Sequence, residues 1–176
     1  YSAIYPLYLR VFRRTIYDRY SKEVVFYKSI VSDKCSLVFD VGANVGDKAA
    51  LFAKYFKKVV AIEPDRENQL IVKRRFYFNK SVTIRPSACG NEIGMKQFFI
   101  DSPGSPANTL SQKWREILKN PKENRWSKRL EFNDSYDVEV ETLDSLITSF
   151  GKPDYIKIDV EGLEWEVLQG LSHTVK

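Results

Sequence analysis

Histidine is almost absent from this sequence and cysteine is scarce: there is one His, His173, and two cysteines, Cys35 and Cys89. Each cysteine stands at the edge of an apolar run, with no CxxC spacing. One imidazole and two separated thiols do not make a closed zinc site, so no metal centre is expected. The carboxylates near the C-terminus could attract magnesium, but no further ligand set accompanies them. Two reduced, half-buried thiols fit a cytoplasmic protein. Any apolar run long enough to cross a bilayer is also missing, so no transmembrane segment is expected. Nor is a secretory leader, because Arg10, Arg13 and Arg14 interrupt the stretch where its apolar core would lie. The G-x-G-x-x-G fingerprint of dinucleotide folds does not occur, and no internal repeat is visible.

What is present describes one globular domain. A chain of 176 residues can bury about 70% of its unfolded surface without disulfide staples. An apolar fraction of 43% and a charged fraction of 29% are ordinary for such a domain. The net charge of +5 is concentrated between Lys113 and Arg129, where Lys113, Arg115, Lys119, Lys122, Arg125, Lys128 and Arg129 outnumber Glu116 and Glu123. Such a cluster is either a solvated loop-and-helix face or the mark of an anionic partner. No RNA-reading motif accompanies it, so nucleic acid is not the expected partner.

Residues 1–34 read as a helical segment. Tyr5, Tyr8, Leu9, Phe12, Ile16 and Tyr20 recur at helical spacing over 4–20, and Ser21 is placed to cap a second helix through Val31. A basic, aromatic helix of this kind can contact a membrane peripherally, but more often packs across a domain face, which is the reading preferred here. From residue 35 to 176 strand and helix alternate. Leu37–Val41, Val59–Ile62, Val82–Ile84 and Tyr155–Val160 are short apolar runs, as buried parallel strands are. Helices are expected over 46–57, 66–78, 143–150 behind a Thr142 cap, and 163–171. The pattern predicts an α/β fold, a Rossmann-like sheet with helices on both faces. Strands at 96–100 and 137–141 flank an insert over about 101–136, polar and without strong structure of its own, which suits a lid or a disordered loop.

The chemistry gathers at strand ends. The first strand stops at Asp40-Val41-Gly42-Ala43-Asn44-Val45-Gly46. Gly42 allows a tight turn and close approach of a ligand, Gly46 lets the next helix start near the strand, and the free amides of that helix start favour an anion. Asp40 suits an ammonium group, directly or through water. Glu63, followed by Pro64, ends the second strand about 20 residues on, where such folds grip a ribose. Asp159 and Glu161 lie two apart at the end of a later strand and so share a face, with Lys157 at the same parity. A lysine inside a buried strand needs a partner, and Asp40 or Asp159 is the candidate.

These pieces together resemble the FkbM family of methyltransferases. The resemblance rests on Val38 to Gly46, Val60 to Asp65, Ser87-Ala88-Cys89-Gly90, Glu141-Thr142-Leu143-Asp144, and Ile156 to Gly162 followed by Glu164, Val167, Leu168 and Gly170, in family order. It implies S-adenosylmethionine as cofactor and O-methylation of a hydroxyl on a sugar, lipid or polyketide-like metabolite. It carries Asp40, Gly42, Ala43, Asn44, Gly46, Glu63, Pro64, Ser87 and Ala88 over as donor contacts, the last two near adenine. It makes Asp159 and Glu161 the acidic motif beside the transferring methyl, and either could take the acceptor's proton. His173 lies beyond the last helix and reads as a surface residue. Trp114 and Trp126 either close over the acceptor or anchor the insert to the sheet. Family members continue with further strands, and this chain starts at Tyr1 without a methionine, so a fragment lacking C-terminal strands is expected. Two readings compete, a non-catalytic nucleotide-binding scaffold and a nicotinamide-dependent oxidoreductase; the G-x-N-x-G turn counts against the second.

Overall fold

A computed structural model describes residues 13–31, 35–124 and 127–172. Arg125, Trp126 and His173, each assigned a role or a face above, lie outside the described residues, as does the part of the first expected helix before Arg13.

The apolar runs form the middle of the molecule. β1 (Leu37–Val41), β2 (Lys58–Ile62), β3 (Val82–Arg85) and β7 (Tyr155–Ile158) make a parallel sheet in the order β3-β2-β1-β7. β1 is buried along its whole length, which is why it lacks the polar alternation of a half-solvated strand. Leu37, Phe39 and Val41 pack on one face against α5 (Leu143–Phe150) and α6 (Glu164–Gln169), through Leu143, Leu146 and Val167. Val38 points to the other face, where Ala49 and Phe52 of α2 (Asp47–Phe52) join Val72 and Phe76 of α3 (Arg66–Arg75) and the residue after it. The result is a Rossmann-like sheet covered by helices on both sides.

From β1 the chain steps to β2 and β3 on one side, then later returns to place β7 on the other. The strand order therefore reverses at β1, and a crevice opens outside the ends of β1 and β7. Their register sets Asp40 beside Lys157 and Val41 beside Ile158.

A second sheet of β4 (Ala88–Cys89), β6 (Asp134–Glu141) and β5 (Gly94–Ile100) has the order β4-β6-β5, with β5 antiparallel to β6. The strands expected at 96–100 and 137–141 are β5 and β6, longer than expected because pairing continues to Gly94 and Asp134.

Three sequence expectations are corrected. Ser21 caps nothing: α1 (Arg14–Ile30) runs through it as one helix. Tyr20, Val24 and Tyr27 continue a single stripe across that position, and Tyr27 meets the Phe52 ring edge-on at 4.9 Å, so tertiary packing overrides the local cap signal. The insert is structured. α4 (Gln112–Lys119) starts behind a Ser111 cap, and Leu118 joins Ala107 and Leu130 in a small core of its own. Several helices are shorter than their apolar pattern; α3 stops at Arg75 because Phe76 leaves the helical conformation and fills the core against Gly46. The Thr142 cap stands as expected, within a capping box shared with Ser145.

The end of α6 meets the edge of the second sheet at Gly170, where a Cβ would lie 2.2 Å from the Gly90 carbonyl oxygen. Backbone cannot yield there as a flexible side chain can. Gly170→Ala is expected to destabilise the protein by about 1–3 kcal/mol, as overpacking does. Gly94→Ala, where a Cβ meets nothing within 4 Å, is expected to stay within about 0.5 kcal/mol of the parent. Urea unfolding of the two variants checks the contrast; equal midpoints would remove the close-approach argument.

Candidate active site

A cavity of about 320 Å³ occupies the crevice at the ends of β1, β2 and β7. That is the low end of the range for small-molecule sites. Gly42, Ala43, Asn44, Glu63, Pro64, Ser87, Ala88, Asp159 and Glu161 of the residues singled out above all line it. Asp40 and Gly46 do not. Asp40 is fully buried beneath the turn, and Gly46 turns its back on the cavity to pack against Phe76 and Val72.

The glycine turn is held from inside the protein. The Gly42 and Ala43 amides both donate to the Ile62 carbonyl, at 3.0 Å each. Asn44 N–H donates to Glu63 Oε2 at 2.7 Å, Val45 N–H to the Asn44 side-chain oxygen, and Gly46 N–H to the Ala43 carbonyl. The amides of residues 42–46 are thus engaged within the protein, and the turn's contribution is shape and the placement of Asn44 and Glu63; the helix start expected to favour an anion follows it, at Asp47. Gly42 is also glycine for a different reason than ligand approach. With φ at +73°, its Cβ would sit 1.9 Å from the Asp159 carbonyl oxygen, so the end of β7 passes directly over the turn.

Charge is concentrated and mostly compensated. Lys157 Nζ lies 3.3 Å from Asp40 and 3.6 Å from Asp159, and donates to the Gly42 carbonyl at 2.8 Å. Both carboxylates left open as its partner are therefore beside it. Neither Asp40 oxygen has a hydrogen bond of good geometry. Burial pushes the Asp40 carboxyl above its ordinary range, and the Lys157 ammonium partly offsets this. Glu63 is nearly as buried; its Oε1 accepts from Asp65 N–H at 2.8 Å while Oε2 takes Asn44. Burial raises its carboxyl to about 7 despite those two amides. The Ser87 hydroxyl donates to Glu141 at 2.6 Å, and Glu141 in turn holds Arg85 with two bonds of 2.6 and 2.9 Å.

The insert supplies one wall, through Ser105, Pro106, Asn108 and Leu110. Asn108 donates to Asp65 Oδ2 at 2.7 Å, while Asp65 Oδ1 caps α3. Thr109 Oγ1 donates to the Glu161 carbonyl at 2.9 Å, and Trp114 Nε1 to the Glu161 carboxylate at 3.3 Å. A Cβ on Gly162 would collide with Trp114 at 2.9 Å, so indole and turn are in contact. Trp114 thus ties the insert to the turn after β7. The cluster of basic residues in the insert is partly neutralised: Arg115 lies over the Phe99 ring at 4.2 Å and, with Lys119, pairs with Glu116.

Sequence reasoning did not single out Asp65, Asn68, Asn108 or Lys48, all of which line the cavity. Asp65 was legible as a helix cap after Pro64. Asn108 lay within a stretch without periodicity and carried no signal.

Residues 40–176 match a family model described as the methyltransferase FkbM domain. A curated relative, the methyltransferase sdnD of Sordaria araneosa, is 26% identical over 178 aligned positions, covering 82% of this chain and 67% of the relative. A crystal structure of a methyltransferase FkbM from Methylobacillus flagellatus KT aligns with a TM-score of 0.48 at 21% identity, over 78% of this chain and 29% of that one. The chain thus spans about two thirds of the first relative and under a third of the second.

The Glu63 carboxyl tests the electrostatics. Its folded value, about 7, stands above the ordinary 4.5. Folding therefore favours its protonated form, and that stabilisation is complete below 4.5 and lost as pH rises through about 7. Thermal melts from pH 4.5 to 8 are expected to show a decline in this window that Glu63→Gln removes. Identical pH profiles for parent and variant would contradict the assignment.

Proposed function

This chain belongs to the FkbM methyltransferase family, and we propose that it is a cytoplasmic enzyme that methylates a hydroxyl group of a sugar, lipid or polyketide-like metabolite with S-adenosylmethionine as donor. One observation carries the reading: the glycine turn, the buried Glu63 carboxylate and the Asp159–Glu161 pair converge on a single cavity at the point where the strand order reverses.

The lining fits the donor. Each Glu63 oxygen accepts one amide and keeps a lone pair for a ribose hydroxyl. Ala88, Cys89 and Leu110 offer apolar surface to a base. Burial lifts the Cys89 thiol to about 12, so it stays neutral there. Asp159 at the cavity wall, with Asp40 beneath the turn, favours an ammonium group.

When bound, S-adenosylmethionine supplies a methyl group on a sulfonium, already activated for displacement. The protein's part is to align the acceptor with it and to take up the acceptor's proton. Alignment of two reactants can be worth about 7–11 kcal/mol of the barrier. A positioned base adds about 10²–10⁴-fold. Asp159 and Glu161 are the groups we assign to the proton. Lys157 fixes the position of Asp159, and the Trp114 indole N–H orients Glu161.

Calorimetric titration with S-adenosylhomocysteine tests the donor site. Glu63→Ala is expected to weaken binding by about 10- to 100-fold, the loss of a charge-assisted hydrogen bond, and NADH is expected to give no heat. A folded protein that binds NADH instead, or neither ligand, would sink the proposal. Once an acceptor turns over, Glu161→Gln is expected to lower kcat by about 10²-fold or more with donor affinity kept, and Asp159→Asn to lower kcat similarly while also weakening donor binding. Trp114→Phe keeps the ring and loses the N–H, and a smaller fall in kcat is expected. Full turnover by both carboxamide variants would remove the base assignment.

A further inference from the structure

The outer side of α3 and the turn after it carry two features that the donor site does not use. Leu70 and Ile71 are 47% and 45% exposed, and Tyr77 and Phe78 are 71% and 92% exposed. The two rings meet edge-on at 4.9 Å, so they present themselves together. Asn68, Val72 and Phe76 are buried on the opposite side of the helix, which fixes the apolar residues outward. Exposed aromatic and aliphatic side chains gathered in this way mark an interaction surface.

The second feature is charge. From Asn68 to Asn91 there is no Asp or Glu, while Lys73, Arg74, Arg75, Lys80 and Arg85 are all basic. Two of these five are engaged: Arg75 bonds Val45 and Asp47, and Arg85 bonds Glu141. Lys73, Arg74 and Lys80 are exposed around the apolar residues. The one acidic group on the helix is Glu67, in its first turn.

We propose that this face docks on an anionic bilayer surface. Rings at the headgroup level with cations beside them are the arrangement that such an interface selects. A soluble anion would use the cations and leave the exposed Phe78 without purpose. The geometry is compatible with turnover, because α3 begins at the cavity wall with Asp65 and Asn68 and carries the patch about 15 Å away, at its far end. The inference goes beyond the methyl-transfer reading and does not depend on it.

Vesicle flotation of the protein tests it, with phosphatidylcholine vesicles set against mixed phosphatidylcholine–phosphatidylserine vesicles. Binding is expected only to the mixed vesicles and is expected to fall with added salt. Each cation near such a surface contributes about fivefold, so Lys73→Glu with Arg74→Glu should lower partitioning at least about 25-fold. Phe78→Ser should lower it about tenfold. Both variants are expected to unfold cooperatively and to keep the parent's S-adenosylhomocysteine affinity, which separates a docking defect from misfolding and from failure of the donor site. The double charge reversal is expected to melt a few degrees lower, because it places anions in the last turn of α3. No flotation of the parent, equal flotation with both vesicle types, or unchanged partitioning in both variants would overturn the proposal. So would capture by single-stranded RNA with the same variant dependence and none by vesicles.

Discussion

The close passage of β7 over the glycine turn governs this cavity. Gly42 and the Asp159 carbonyl approach so nearly that no side chain fits between them, and Lys157 reaches across the same contact to the Gly42 carbonyl. An ammonium group in a mostly apolar sheet is tolerable only when charge and hydrogen bonds surround it. Here Asp40, Asp159 and two carbonyls do so. The register of β1 against β7 sets Lys157 beside Asp40 and brings the glycine turn and the Asp159–Glu161 pair to one cavity.

Around this contact the cavity is walled by connections that span the chain. Glu63 ties β2 to the turn through Asn44, and Asp65 ties the start of α3 to the insert through Asn108. Glu161 receives Thr109 at its carbonyl and Trp114 at its carboxylate. The insert is therefore a fixed wall whose bonds end on the acidic motif. Residues 105–110 shape one side of the cavity, and the Trp114 indole N–H holds the Glu161 carboxylate. The strain of positive φ at Asn44 and Glu161 falls at the same place, where surrounding bonds hold each in position.

The elements that local chemistry dictates were legible before any coordinates. Short apolar runs ending at glycine or a carboxylate specify parallel strands, and these became the buried β1 and β2 and the shorter, half-buried β7. Thr142 capped its helix because a cap needs only its own first turn. Asn44, Glu63 and Asp159 came together at one cavity because each sits just past the end of its own strand, and parallel strands put those ends side by side. Where a signal depended on distant packing it misled: Ser21 looks like a cap, yet Tyr27 docking on Phe52 carries the helix straight through it.

By itself, then, the sequence determined the α/β alternation, the strand-end placement of Asp40, Glu63 and Asp159, and the membership of a methyltransferase family, because period, turn residues and short motifs act over a few residues. Tertiary structure alone decided that Asp40 lies beneath the cavity while Glu63 lines it. It also decided that Ser87 answers to Glu141 across 54 residues and that Trp114 holds Glu161 across 47. Those pairings arise from the crossing of separate elements, and side chains far apart along the chain carry no local mark of the neighbours that folding gives them.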